Sequence, residues 1–346
     1  NNYDVVGVDI DKDYVDLLNN KSFVSKEPYV DEYLQNAKHF RATTDINQAI
    51  NHSNIIYIVV ATNTLENGHY DHSIIDGIVN NIVQLGWQKE RKHIILQSTT
   101  IPGYCNSIQE SLEKCNCSLS YNPEFIRQGT IIKDQEVPDM VLIGCNDKEA
   151  ETLLLQAYND MCTNEPKFNI MDNLSAEITK LSLNCFLTTK ISFTNMIGDL
   201  ATSVGADPDK ILKAVSSDSR VGEKLMRYGY GYGGTCLPRD NRALAVFAKE
   251  KNMPIDISEA TDNINKKHLE FQVSAFIRKQ PSSLPVRLTG VSFKPGSDII
   301  EESQKLAFGV KLVEKGYKVI IIDTDTVIKN VKQKYGEMFE YERKNS

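Results

Sequence analysis

The first two-fifths of the chain alternates short β-branched runs with stretches whose apolar residues recur at helical spacing. The runs are Val5 to Ile10, Ile55 to Val60, His93 to Gln97, Ser118 to Tyr121 and Met140 to Ile143, and Asn, Gly and Pro populate the loops after them. Their length and residue types predict strands. Asp11 to Asn19 and Ile74 to Leu85 predict helices between them. Strands alternating with helices in this way specify an α/β domain, a doubly wound parallel sheet covered by helices.

From Ser175 to Val204 the pattern changes to a single long helical segment, apolar on several faces and ended by Gly205. A helix of that kind is expected to be buried between domains or subunits. Asp207 and Pro208 then open another helix, with Asp at the N-cap and Pro in the first turn. Helices are expected to continue to Lys279. Gln280 to Ser283 reads as a linker, after which strands at Val286 to Val291 and Lys318 to Asp323 flank a helix at Gln304 to Glu314. The expected division is residues 1–172, a central helical region 173–279, and a smaller α/β unit 285–346. The polar tail from Tyr335 to Ser346 is expected to be partly disordered.

A chain of 346 residues is long enough for two or three cores. Hydrophobic residues at 41% and charged residues at 25% are ordinary globular usage. The formal net charge of -7, with no dense Lys/Arg run, argues against a nucleic-acid partner. No apolar stretch approaches the ~18 residues of a membrane span, and the N-terminus lacks the basic flank of a signal peptide, so a cytoplasmic location is expected. Seven cysteines without framework spacing fit reduced thiols. Cys115 and Cys117, with Cys105 nearby, lack the second ligand pair of a zinc site, and no metal is expected there or at His69 and His72.

Asp9 ends the strand Y-D-V-V-G-V-D, where a Rossmann-like dinucleotide-binding domain places the carboxylate that accepts a ribose hydroxyl. That role would make the strand the second of the domain and put the first strand and its glycine turn before residue 1. The other reading of Asp9 is a turn residue at a strand end. A stronger signal is Gly229 to Asp240, G-Y-G-Y-G-G-T-C-L-P-R-D, with four glycines in six residues ahead of a cysteine. Such a loop allows close backbone approach around a ligand. A thiolate there could add to an aldehyde and leave a hydrolysable thioester after hydride loss, with Asp240 on the same helical face. The alternative for Cys236 is a structural thiol in a core.

The motif G-Y-G-Y-G-G-T-C-L-P-R-D resembles the nucleophile loop of the nucleotide-sugar 6-dehydrogenases, which oxidise UDP-glucose, GDP-mannose or UDP-N-acetylhexosamines with NAD. The resemblance extends over almost the whole chain. V-A-T-N-T-L-E-N-G-H-Y-D from Val60, Q-S-T-T-I-P-G from Gln97, N-P-E-F-I-R-Q-G-T from Asn122, K-x-x-x-N at Lys180 and Asn184, and G-V-S-F-K-P-G-S-D-I-I-E-E-S from Gly290 are each similar to the family's segments. It implies a Rossmann-like NAD-binding domain, a central long-helix dimerisation region and a smaller Rossmann-like C-terminal domain for the nucleotide sugar.

By the same resemblance Cys236 carries the thiohemiacetal and thioester, with Asp240 and Thr99 handling water. Glu124 is the base of hydrolysis, and Lys180, beside Asn184, stabilises the C6 alkoxide. Read without it, Lys180 is a solvated helical lysine. Asp9, Thr62, Thr99 and Lys294 fall to the cofactor. Glu124, Phe125, Ile126, Lys180, Asn184, Arg220, Tyr228 and Gly233 fall to the substrate, with Arg220 reaching the neighbouring subunit of a homodimer. The sequence departs from the family at Ile299 and Glu301, where Asp and Arg are usual, and at Gln128, where Glu is common.

The N-P-E-F segment looks closer to the UDP-glucose branch, with GDP-mannose and UDP-N-acetylhexosamine enzymes as alternatives. A nucleotide-sugar-binding homologue without activity is the rival suggested by Glu301 and the absent glycine turn. A single-oxidation enzyme of the 6-phosphogluconate type is a second, against which the intact Cys236 loop counts.

Overall fold

A computed structural model describes residues 3–344. The chain divides into two compact units, residues 1–180 and 181–346. The first contains β1 (Val5–Val8), α1 (Lys12–Asn19), α2 (Val30–Asn36), β2 (Phe40–Thr43), α3 (Ile46–His52), β3 (Ile55–Ile58), α4 (Ser73–Gln84), β4 (Lys92–Leu96), α5 (Tyr104–Glu113), β5 (Cys117–Tyr121), α6 (Ile131–Glu136), β6 (Met140–Cys145), α7 (Lys148–Met161) and β7 (Lys167–Met171). Helix α8 (Asn173–Ser203) starts in this unit and ends in the next.

Strands β3 to β7 form one sheet in sequence order, and β1 pairs with β2 in a separate parallel ribbon. Alternate residues of the sheet serve two cores, as a period of two requires. Ile94, Leu96 and Leu142 join Ile75, Val79 and Ile82 of α4 and Leu112 of α5 on one face, while Ile95, Val141 and Ile143 join Ala150 and Leu154 of α7 on the other. This is the α/β layering expected, with two corrections. The sheet is not wholly parallel, since β5 and β6 run antiparallel through Ser120↔Cys145 and Tyr121↔Gly144. Strands β2 and β7 were not expected from the pattern: F-R-A-T and K-F-N-I-M are short runs broken by polar residues.

The short β5–β6 pairing leaves β5 backbone groups to be satisfied elsewhere. Asn173, at the start of α8, supplies them: its Oδ1 accepts from Tyr121 N at 3.2 Å and its Nδ2 donates to Leu119 O at 3.3 Å. The helix can come this close because position 144 has no side chain. A Cβ on Gly144 would stand 2.8 Å from Ala176 Cβ and 3.0 Å from Asn173 Cα.

The second unit continues with α9 (Pro208–Ser216), α10 (Leu237–Glu250), α11 (Asp256–Lys279), β8 (Val286–Thr289), α12 (Gln304–Glu314), β9 (Val319–Asp323), α13 (Asp325–Tyr335) and β10 (Glu340–Arg343). Asp207 caps α9 as expected, accepting from Asp209 N at 3.1 Å and Lys210 N at 3.2 Å. The three strands form a parallel sheet in the order β10-β9-β8 over a core of Leu288, Leu306, Leu312, Ile321 and Val327. The tail expected to be partly disordered is instead ordered through residue 344: Glu340 to Arg343 pair with Ile320 to Asp323, and Phe339 is buried in the core. Residues 345 and 346 lie outside the described part. Among the described residues, no helix is long and apolar enough to cross a membrane.

Gly144→Val should lower stability by about 1–3 kcal/mol, the usual cost of forcing atoms into a packed core. A urea titration of the intact chain checks it; a midpoint equal to that of the unaltered protein would overturn the close-approach argument.

Candidate active site

In the second unit, the glycine-rich segment is held by side chains from two helices. Asn195 of α8 accepts from Gly229 N at 3.1 Å and donates to Tyr230 O at 3.3 Å. Asn265 of α11 does the same at one residue, accepting from Tyr232 N at 3.1 Å and donating to Tyr232 O at 3.0 Å. The glycines make room for these contacts. A Cβ on Gly231 would lie 2.1 Å from Asn265 Oδ1, one on Gly233 would lie 2.2 Å from Glu302 O, and Gly234 has a φ of +83°. Gly234 N donates to Glu301 O at 3.1 Å, so the loop is fixed on this side too.

Directly after this loop Cys236 forms the N-cap of α10, with its thiol exposed and 3.5 Å from Thr235 Oγ1. The helix that follows brings Asp240 one turn on, its N–H donating to Cys236 O at 2.8 Å. Asp240 is fully buried, accepting from Asn184 Nδ2 at 2.6 Å and from Arg239 Nε at 3.0 Å. A buried carboxylate persists where charged and amide donors satisfy it. Cys236, Asp240 and Asn184 are thus brought together. Arg220 stays exposed, paired with Asp218 at 2.7 Å, and Tyr228 gives its hydroxyl to Asp199 at 2.7 Å.

In the first unit, the end of β5 leads into Asn122, which donates to Leu142 O at 2.9 Å and accepts from Tyr158 Oη at 2.9 Å. This fixes the start of the segment carrying Glu124, Phe125 and Ile126. Lys180 is only 8% exposed; its ammonium donates to Glu124 O and sits 4.3 Å from the Phe125 ring centroid. A lysine this buried on a helix needs such partners. The Glu124 carboxyl accepts from Gln135 Nε2 at 3.1 Å, and burial pushes it above the ordinary carboxyl range against the smaller opposing pulls of Gln135 and Lys180.

Thr99 lies in the turn after β4, and that turn is fastened by a residue not anticipated from the sequence. Glu177 of α8, fully buried, accepts from Thr100 Oγ1 at 3.0 Å, Gly103 N at 2.6 Å and Cys105 N at 2.9 Å, and so caps α5 from a distance. A second unanticipated carboxylate, Glu27, accepts from Gly129 N at 2.7 Å and closes the far end of the Glu124 segment. Spacing on α8 could have pointed to Glu177, which is one turn before Lys180. Glu27 had no signal.

The residues expected to face a dinucleotide follow the C-terminal ends of strands, where open α/β sheets bind ligands. Asp9 follows β1, with its Oδ1 taken by Asp11 N at 2.9 Å; Thr62 follows β3, and Thr99 follows β4. A carboxylate and small hydroxyl side chains at strand ends suit ribose and pyrophosphate, so the residues present fit NAD. Lys294 lies in the loop between β8 and α12 with its ammonium 5.6 Å from the Phe293 ring centroid.

Residues 1–162 match the family model of the UDP-glucose/GDP-mannose dehydrogenase family, NAD binding domain, and residues 174–267 match that family's central domain. GDP-mannose 6-dehydrogenase of Pseudomonas savastanoi pv. phaseolicola is 32% identical over 339 residues, spanning 93% of this chain and 76% of that protein. UDP-glucose 6-dehydrogenase of Rickettsia bellii is 29% identical over 329 residues, spanning 93% of this chain and 75% of its own length. The solved structure of a UDP-glucose dehydrogenase from Pyrobaculum islandicum superimposes with a TM-score of 0.88 at 26% identity, covering 98% of this chain and 80% of that one.

The raised Glu124 carboxyl has a signed consequence. A group whose folded value exceeds its unfolded one stabilises the fold while protonated, and that contribution is lost as pH rises from the ordinary value through the raised one. Glu124→Gln keeps an acceptor for Gln135 and removes the titration. Its melting temperature relative to the unaltered protein should climb across that window and level off towards neutral pH; a difference flat with pH would contradict burial as the cause.

Proposed function

Because the chain belongs to the UDP-glucose/GDP-mannose dehydrogenase family, we propose that it oxidises the C6 hydroxymethyl of a nucleotide sugar to a carboxylate through a thioester on Cys236. The observation that carries this reading is Cys236 itself. Its thiol is exposed at the start of α10, behind a loop in which Gly231, Gly233 and Gly234 are required by close contacts, with the buried Asp240, paired with Asn184, one turn away.

NAD supplies the hydride acceptor, two molecules per sugar. In the first stage the C6 hydroxyl loses its proton and C6 becomes an aldehyde. The Lys180 ammonium favours the alkoxide over the neutral alcohol, because a fixed positive charge interacts more strongly with developing negative charge. The Cys236 thiolate then adds to the aldehyde carbon, forming a C–S bond and a tetrahedral thiohemiacetal. Loss of the second hydride from that carbon gives the thioester. Water, deprotonated by Glu124 and held by Thr99 and Asp240, attacks the acyl carbon, and the C–S bond breaks to return the thiolate and release the acid. Burial that raises Glu124 moves a carboxylate towards useful basicity near neutrality.

UDP-glucose is the substrate we propose first, supported by the likeness to the Pyrobaculum islandicum UDP-glucose dehydrogenase along 98% of the chain. GDP-mannose is the second reading, favoured by the 32% identity to a GDP-mannose 6-dehydrogenase. A homodimer through α8 is also proposed: Phe186, Phe193 and Leu200, seven residues apart and therefore on one stripe, are all exposed.

Incubating the protein with NAD and a panel of UDP- and GDP-sugars should yield about two NADH per sugar for one of them, as two hydride transfers require. Binding of a UDP-sugar without any NADH would instead mark a binding protein. Cys236→Ser should stall after the first oxidation, and full turnover by that variant would sink the covalent route.

A further inference from the structure

We propose that His268 is a positioning residue for Cys236, held as a doubly protonated imidazolium that pins the first glycine of the cysteine loop. The inference rests on the nucleophile role given to Cys236 above.

The ring is 1% exposed on α11 and both nitrogens are engaged. Nδ1 lies 3.0 Å and 2.8 Å from the two carboxylate oxygens of Asp199, and Nε2 lies 2.6 Å from Gly229 O. A carboxylate and a carbonyl only accept, so both ring nitrogens must donate, which requires the charged ring. The arrangement also meets the conditions for keeping a charge buried, since Asp199 is an adjacent counter-ion and is itself held by Tyr228 Oη at 2.7 Å.

What the charge does is set by its second partner. Gly229 begins the glycine run, and its carbonyl accepts from His268 and from Gln272 Nε2 at 3.0 Å, one turn further along α11. A donor carrying positive charge makes the stronger class of hydrogen bond. The loop from Gly229 to Cys236 is thereby anchored at its upstream end by a cation together with Asn195, in its middle by Asn265 and at Gly234 by Glu301 O. Without the cation the run of four glycines has one neutral amide left on its first carbonyl. Cys236 would then be placed by a chain with few intrinsic restraints.

Three measurements on the full chain test this. Nitrogen NMR of histidine-labelled protein should show His268 with both ring nitrogens protonated; a neutral tautomer would overturn the proposal. Asp199→Asn retains partners for both nitrogens but removes the counter-ion, so the ring should become neutral. With it, kcat should fall by about tenfold or more while the KM for the nucleotide sugar stays within about twofold, since misplacing a reacting group mainly costs rate. In His268→Leu, amide exchange from Tyr230 to Cys236 should accelerate by about tenfold, with the β8 and β9 amides unchanged, and His268→Gln, which keeps a donor without the charge, should restore only part of the protection. Unchanged loop exchange and unchanged kcat would overturn the assignment even with a charged ring. The NMR and exchange measurements need no substrate, so absence of NADH formation would count against the proposed reaction and leave the His268 result to stand or fall by itself.

Discussion

Buried and half-buried polar residues along α8 hold, within each unit, the segments that carry the candidate residues. Glu177, Lys180, Asn184, Thr188, Ser192, Asn195 and Asp199 follow one another at three- and four-residue intervals and therefore share a face. Each is committed to a different segment. Glu177 holds the Thr99 turn, Lys180 the carbonyl of Glu124, Asn184 the carboxylate of Asp240, Thr188 the amide of Asn241, and Ser192 the carbonyl of Thr261. Asn195 and Asp199 finish with the glycine loop and His268. Each such bond contributes about 1 kcal/mol net, but an orphaned partner costs about 1–3 kcal/mol, so the stripe specifies geometry more than it adds stability.

The glycines are the counterpart of that stripe. Polar side chains can reach a backbone only if nothing stands between, and at Gly231 and Gly233 a methyl would overlap Asn265 Oδ1 and Glu302 O. The loop is consequently rich in glycine without being loose. Its chain flexibility is removed by partners on α8, on α11 and in the segment ahead of α12. A nucleophile needs that combination, because the same backbone that gives access would otherwise leave the thiol poorly placed.

The α/β layering, the extent of α8 and the cap of α9 were legible because each rests on strong local signals: apolar periodicity, a terminal glycine and an Asp-Pro start. β10 was not. Its residues alternate charged Glu340 and Glu342 with Tyr341, as an edge strand does, and edge strands carry charge on the open side. Among the candidate residues, Cys236 and Asp240 stood out because they sit in a compact glycine-rich motif, whereas Lys180 and Asn184 were reached only through the family resemblance. Glu177, Asn195 and Asp199 did not stand out, because α8 was read by its apolar residues, and His268 is a single histidine on α11 with no motif around it. A helix that is apolar on several faces hides a polar stripe whose members are spread over more than twenty positions.

The thiols show how the fold confines reactivity. Cys105, Cys115, Cys117, Cys145 and Cys185 are buried, and Cys162 is half-buried. Burial pushes Cys117 up to about 11 and Cys185 up to about 12, so both stay protonated across the physiological range. Cys185 is instructive, since it neighbours Asn184 on α8 and its sulfur contacts Asp240 O at 3.8 Å. It lies against the same carboxylate residue as the proposed nucleophile, yet it is buried. Among the described residues Cys236 is the exposed thiol, and what separates it from Cys185 is the helix end on which it stands. The exposed thiol therefore stands where α10 begins, a position set by the glycine run and the polar side chains that hold it.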